Sequence, residues 1–202
     1  MSQSIMSQLI TEISPSINRH NWTVSDFERL FDAAFFAPDE RLELIEGEIW
    51  KKMTQNEPHA VALSLTEFAL SGVFQNCYVR TQQLMILGES SKPEPDLAVV
   101  TGAPRDYLPS HPTTAELVVE ISDSTLVADQ TTKAALYARA HIAEYWIVNL
   151  VDRTLEVRRQ PSPMPGELLG YGYRFTQILL PGESIAPLGA PDNLIGVDEL
   201  LP

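Results

Sequence analysis

Two short apolar runs, residues 97–100 (Leu-Ala-Val-Val) and 117–121 (Leu-Val-Val-Glu-Ile), each come with one carboxylate, and this constrains the chain more than any other feature. The runs are rich in β-branched residues and bounded by Pro or polar clusters, the pattern of buried strands. Asp96 opens the first, directly after Pro95. Glu120 sits inside the second with apolar residues on both sides. An ionised carboxylate in such surroundings costs on the order of several kcal/mol unless it is paired or binds a cation. Two readings follow. Either Asp96 is a strand-entry cap and Glu120 pairs with Arg80 or Lys133, or the two carboxylates share a metal ion.

Lysine usage bears on the choice, because the chain has four lysines, at 51, 52, 92 and 133. Lys133 lies on residues 129–140, where Leu136, Tyr137 and Ala140 recur at helical spacing after Asp129, an expected N-cap. A helix that follows a strand packs back on the sheet, so Lys133, in its second turn, is expected to reach the strand carboxylate. Tyr137, one turn later on the same face, is expected to be a core aromatic with its hydroxyl at the polar site. Two carboxylates offer hard oxygens to Mg²⁺ or Mn²⁺, and a lysine beside them can orient a water or neutralise a phosphate.

At Pro95-Asp96 and Glu120-Ile121-Ser122 the chain resembles the PD-(D/E)XK nuclease superfamily. The wider set is Glu43-Leu44-Ile45-Glu46-Gly47-Glu48, His59, Pro95-Asp96, Val118-Val119-Glu120-Ile121-Ser122, Lys133, Tyr137 and Glu144-Tyr145-Trp146. It is similar to the restriction-endonuclease-like Uma-two family over residues 23–180. Ser122 stands where the superfamily places its lysine; in the Uma-two pattern a lysine on the next helix takes that place, here Lys133. The resemblance implies a restriction-endonuclease-like fold, a homodimer, and Mg²⁺- or Mn²⁺-dependent cleavage of DNA. It further implies that Asp96, Glu120 and the Ile121 main-chain carbonyl hold the metal. Lys133 would act on the water or the phosphate, Glu43 would assist, and Glu46, His59, Gln82 and Tyr137 are auxiliary candidates. The alternative is a non-catalytic module that binds nucleic acid or protein on the same scaffold, since one fold hosts many functions.

Net charge motivates that alternative. The chain carries −13, whereas proteins that hold nucleic acid ordinarily present a basic face. The acidity is uneven: residues 1–48 hold three basic and nine acidic groups, and residues 181–202 hold none and four. The middle, with eleven against fourteen, is close to balance and has room for a local positive face.

With 202 residues and 44% apolar content, the expectation is one domain over residues 21–202 behind a loosely held arm at 1–20. Cys77, the one cysteine, excludes an intramolecular disulfide and suits a reducing cytoplasm. No apolar run is long enough for a membrane span, and none of the N-terminal residues makes a signal peptide.

Along the chain, Thr23 and Asp26 mark a capped helix reaching about residue 36. Residues 41–45 and 48–53 form a hairpin turning at Glu46-Gly47. Alternation puts Glu43 on a face with Arg41 and Ile45, either as an exposed carboxylate or as a third acid near the metal. A helix from residue 57 to 73 begins with Pro58 and carries His59 in its first turn. Residues 78–87 alternate as a strand with Arg80 and Gln82 on one face, and 102–114 form a surface loop. Asp123 lies in a turn, as a cap or an outer ligand. Residues 144–150 pair with 154–158, where Arg158 and Arg159 are phosphate contacts or edge-strand charges. Then come a loop at 160–170, a strand at 171–180 and a tail that covers the core or forms an interface. The fold expected is α/β: a mixed central sheet flanked by helices, with an antiparallel hairpin extension.

Overall fold

The computed structural model describes residues 20–52 and 54–202. The expected N-terminal arm therefore lies, but for His20, outside the described residues. The chain opens with α1 (Val24–Asp32), held by a capping box: Thr23 Oγ1 accepts the Asp26 N–H at 3.1 Å, and the Asp26 carboxylate accepts the Thr23 N–H at 3.2 Å. The helix stops at Asp32, short of residue 36, and Ala34 takes a positive φ of 52° beyond it. Strands β1 (Leu42–Ile45) and β2 (Glu48–Lys51) form the expected hairpin. Its turn residues Glu46 and Gly47 both have positive φ, 51° and 78°, the geometry that matches a two-residue turn to strand twist. At Gly47 a Cβ would meet Asn21 Cβ at 3.0 Å, so the position is closed to larger residues on two counts.

The central sheet has six strands in the order β3 (Cys77–Thr81), β4 (Leu97–Thr101), β5 (Leu117–Ser122), β6 (Glu144–Asn149), β7 (Thr154–Pro163) and β8 (Tyr171–Leu179). All neighbours are antiparallel except β5 and β6, which run parallel. A parallel pair needs a crossover, and here it is helical. The crossover comprises α3 (Leu126–Ala128), a π-helical turn (Asp129–Lys133) and α4 (Ala134–Arg139).

Period-two alternation on β5 sorts its side chains between two cores. Leu117, Val119 and Ile121 join Leu63 and Leu70 of α2 (Glu57–Val73) on one face. Val118 joins Leu136 and Tyr137 of α4 on the other. Because β4 runs antiparallel to β5 with Leu97 opposite Val119, Asp96 at the start of β4 arrives beside Glu120 near the end of β5.

Four local expectations are corrected. β3 ends at Thr81 rather than 87, because Gln82 adopts a left-handed φ of 51° that turns the chain out of the ladder. Asp129 is not an N-cap: the helix begins at Leu126, and Asp129 lies buried inside it. β7 runs on to Pro163, past Gln160 with its positive φ of 61°, into a stretch expected to be loop. Arg158 and Arg159 are not edge charges, since β7 lies between β6 and β8 and they pair with Glu156 and Glu144.

The tail forms a small pair, β9 (Ser184–Ile185) with β10 (Ile195–Gly196), and drives Val197, Leu200 and Leu201 into the α2-side core. No helix among the described residues is long and apolar enough to cross a membrane. If the tail is part of the core, Leu200→Ala will lower the urea-unfolding free energy by about 2–5 kcal/mol. Leu194→Ala, at a position 72% exposed, will change it by less than about 0.5 kcal/mol.

Candidate active site

Asp96 is buried at the mouth formed by the start of β4 and the end of β5. Its Oδ2 accepts the Ile121 N–H at 2.9 Å and lies 3.2 Å from His59 Nε2. Its Oδ1 accepts from Gln82 Nε2 at 3.2 Å and stands 3.7 Å from Lys52 Nζ. Burial pushes the Asp96 carboxyl up, but the His59 hydrogen bond and the charges on Lys52 and Lys133 outweigh it and hold the group well below the usual carboxylate range.

Glu120 is held differently. Lys133 Nζ donates to its Oε1 at 3.0 Å, and the Tyr137 hydroxyl donates to the same oxygen at 2.7 Å. Oε2 accepts a longer contact, 3.4 Å, from the Asp96 N–H, so it faces Asp96 and carries the weaker of the two bonding loads. Burial raises the Glu120 carboxyl to about 8; Lys133 opposes this, while Asp96 and Asp129 add to it.

Lys133 is buried among three carboxylates: Glu120, Glu43 at 3.4 Å and Asp129 at 3.8 Å. Glu43 is not an exposed strand carboxylate; it is 3% exposed, and its Oε2 accepts the Glu94 N–H at 3.1 Å. Asp129 accepts from Ser122 Oγ at 2.7 Å and Thr125 Oγ1 at 2.6 Å, and burial shifts its carboxyl upward. Tyr145 donates to the Asp129 main-chain carbonyl, at the start of the π turn, at 3.1 Å.

The structure thus brings Asp96, Glu120, Lys133, Glu43, His59, Gln82 and Tyr137 together. It does not bring Glu46, whose carboxylate pairs with Arg139 and accepts from Ser91 Oγ at 2.7 Å on the far side of the hairpin turn. Arg80 does not pair with Glu120 either; its guanidinium lies against the Tyr78 and Tyr107 rings. Sequence reasoning missed Lys52 and the inward-facing role of Asp129. The adjacent pair Lys51-Lys52 at the end of a hairpin strand was the available signal, since alternation turns one of two neighbours inward. A cavity of about 140 Å³ opens onto the cluster, lined by Glu43, Lys52, His59, Asp96, Glu120 and Lys133 among others.

The donor set fits a hard divalent cation. Four buried carboxylates (Asp96, Glu120, Glu43, Asp129) surround two ammonium groups (Lys52, Lys133), a surplus of two negative charges when all four are ionised; without a cation, burial keeps a proton on Glu120, and a divalent ion would take that proton's place. His59 Nδ1 is buried without a hydrogen-bond partner among the described residues. No group of three or more His, Cys, Asp or Glu side chains among the described residues is disposed to hold a metal by itself. Mg²⁺ asks for less, since it is commonly held by one or two carboxylates with water and substrate completing its shell.

A match to the Uma2 family, described as "Putative restriction endonuclease", covers residues 24–194. The chain belongs to the Uma2 family. Among solved structures, it is similar to "a putative nuclease belonging to DUF820 from Anabaena variabilis ATCC 29413", with a TM-score of 0.66 and 15% identity. The likeness covers 88% of this chain and 96% of that one, and at this identity it speaks to the fold. No curated protein matched. The geometry above shows Glu43, His59, Asp96, Glu120 and Lys133 meeting in this Uma2 protein.

The raised Glu120 carboxyl has a stability consequence. Between its ordinary value of 4.5 and about 8 the folded chain holds a proton that the unfolded chain has released. Stability in the absence of divalent ions therefore falls as pH rises through that window, by at most about 1.4 kcal/mol per pH unit. Asp96 acts oppositely, giving stability that is lost as pH falls below about 3.8. Urea unfolding in chelator between about pH 5 and 8 will show the decline, and Glu120→Gln will flatten it; an equal slope in both proteins would reject the assignment.

Proposed function

We propose that the protein is an Mg²⁺- or Mn²⁺-dependent endonuclease that hydrolyses phosphodiester bonds in DNA. The observation that carries this reading is the meeting of Asp96 and Glu120 at one cavity, with Lys133 bonded to Glu120. Asp96 and Glu120 would hold the cation, and family resemblance adds the Ile121 main-chain carbonyl. When bound, the ion supplies Lewis acidity toward the phosphate and lowers the pKa of a water.

The chain's own residues then have distinct tasks. Tyr137 and Lys133 fix Glu120 through Oε1 and leave Oε2 turned toward Asp96. Ile121 N–H, His59 and Gln82 fix Asp96 in the same way. Glu43 holds Lys133 from the other side and keeps its ammonium bonded to Glu120. In the reaction a water oxygen forms the new P–O bond, one ester P–O bond breaks, and the leaving oxygen takes up a proton.

The homodimer that family resemblance implies suits the free edge of the sheet, where β8 and its continuation expose Phe175, Ile178 and Leu180. A second reading, a non-catalytic binding module, rests on the net charge of −13. One assay separates the two. With Mn²⁺ and supercoiled plasmid or oligonucleotide, the wild type will cleave, and Asp96→Ala, Glu120→Gln and Lys133→Ala will each lose at least about 100-fold in kcat. Glu43→Gln will lose less. Absence of cleavage by the wild type, or equal rates in wild type and Asp96→Ala, would favour the binding module.

A further inference from the structure

The two lysines of the cluster are not equivalent. Lys133 is enclosed by Glu120, Glu43 and Asp129 at 3.0, 3.4 and 3.8 Å, and its side chain is 7% exposed. Three carboxylates on three different segments leave its ammonium little freedom to meet another anion.

Lys52 has its one close partner in a neutral group and its carboxylates farther off. Its Nζ donates to the Glu94 main-chain carbonyl at 2.6 Å, while the nearest carboxylate oxygens, on Glu94 and Asp96, lie at 3.6 and 3.7 Å. The Glu94 carboxylate is already paired with Arg41. Lys52 also has a firm base: its backbone N–H donates to the Arg41 carbonyl at 3.0 Å, prolonging the β1–β2 ladder beyond Lys51. Its ammonium lines the cavity beside Asp96. The remaining lysines are engaged elsewhere, Lys51 with Glu40 at 3.0 Å and Lys92 with Glu28 at 2.6 Å.

We propose that Lys52 is the residue that contacts the substrate phosphate, whereas Lys133 is a positioning residue for Glu120. This rests on the nuclease reading of the same site. A phosphodiester oxygen at the cavity gives Lys52 a full anionic partner in place of a neutral carbonyl, a charge-assisted hydrogen bond of about twice the strength. A lysine suits this task as a compact point charge on a flexible stem, anchored here at its backbone. The division also speaks to the acidic chain: an ammonium at the cavity beside Asp96 offsets local repulsion of a phosphate.

With only four lysines, each side-chain resonance of protein labelled at lysine Cε can be assigned by single Lys→Arg substitutions. A short phosphorothioate duplex is then titrated in with Ca²⁺ while binding is followed by fluorescence polarisation. Measured against the Ca²⁺-loaded protein without duplex, the Lys52 resonance will shift on adding duplex, and that of Lys133 will hold its Ca²⁺-loaded position. Lys52→Gln will weaken binding about tenfold, reduce the slope of log affinity against log salt by about 0.9, and raise KM more than it lowers kcat, while Lys52→Arg recovers most of the loss. Lys133→Gln will lower kcat and leave the salt slope unchanged. Duplex binding with an unmoved Lys52 resonance and an unaltered salt slope would remove Lys52 from substrate contact and leave the nuclease reading standing. A wild type that neither binds nor cleaves would overturn both.

Discussion

The molecule is built around a surplus of buried negative charge. Asp96, Glu120, Glu43 and Asp129 are each at most 4% exposed, and they share the ammonium groups of Lys52 and Lys133. Removing a carboxylate from water is costly, and a cluster of this kind persists when hydrogen bonds and counter-charges compensate it. Here the compensation is specific: Ile121 N–H on Asp96, the Tyr137 hydroxyl on Glu120, and the Ser122 and Thr125 hydroxyls on Asp129. With all four ionised the carboxylates would outnumber the two ammonium groups by two, and in the absence of a cation the raised Glu120 carboxyl makes up part of that difference by holding a proton.

Sheet topology explains why these groups can meet at all. The antiparallel β4–β5 pair places the entrance of one strand beside the exit of the other, which juxtaposes Asp96 and Glu120. The parallel β5–β6 pair then requires a crossover, and that helix carries Lys133 and Tyr137 over the exit of β5. Asp129 and Lys133, four residues apart at the two ends of the π turn, both face inward. The hairpin supplies Glu43 and, just past its second strand, Lys52; α2 supplies His59, whose N–H caps on Asn56 Oδ1 at 3.0 Å.

Much of this was legible in the residues. The two β-branched runs, each with a single carboxylate, showed which strands matter, and helical spacing around Leu136 and Tyr137 placed Lys133 over them. The helix caps at Thr23 and the Glu46-Gly47 turn were also readable, because their chemistry is local. What escaped was decided by tertiary contacts. The strand at residue 78 looked as though it ran on to 87, but Gln82 leaves the ladder and turns to Asp96. Asp129 resembled a cap, and only the packing of the crossover buries it. Glu46 shares a motif with Glu43 yet turns the other way, since period-two alternation sends it to Arg139. Lys52 sits beside an exposed lysine, and no local pattern distinguishes the two.

The central claim, that this surplus charge is a cation site, is tested most directly by anomalous scattering from crystals grown with Mn²⁺. The account predicts one peak bridging the Asp96 and Glu120 carboxylates, absent from Glu120→Gln crystals. A map with no peak between those carboxylates at saturating Mn²⁺, or with Mn²⁺ bound elsewhere and the cluster unchanged, would contradict it.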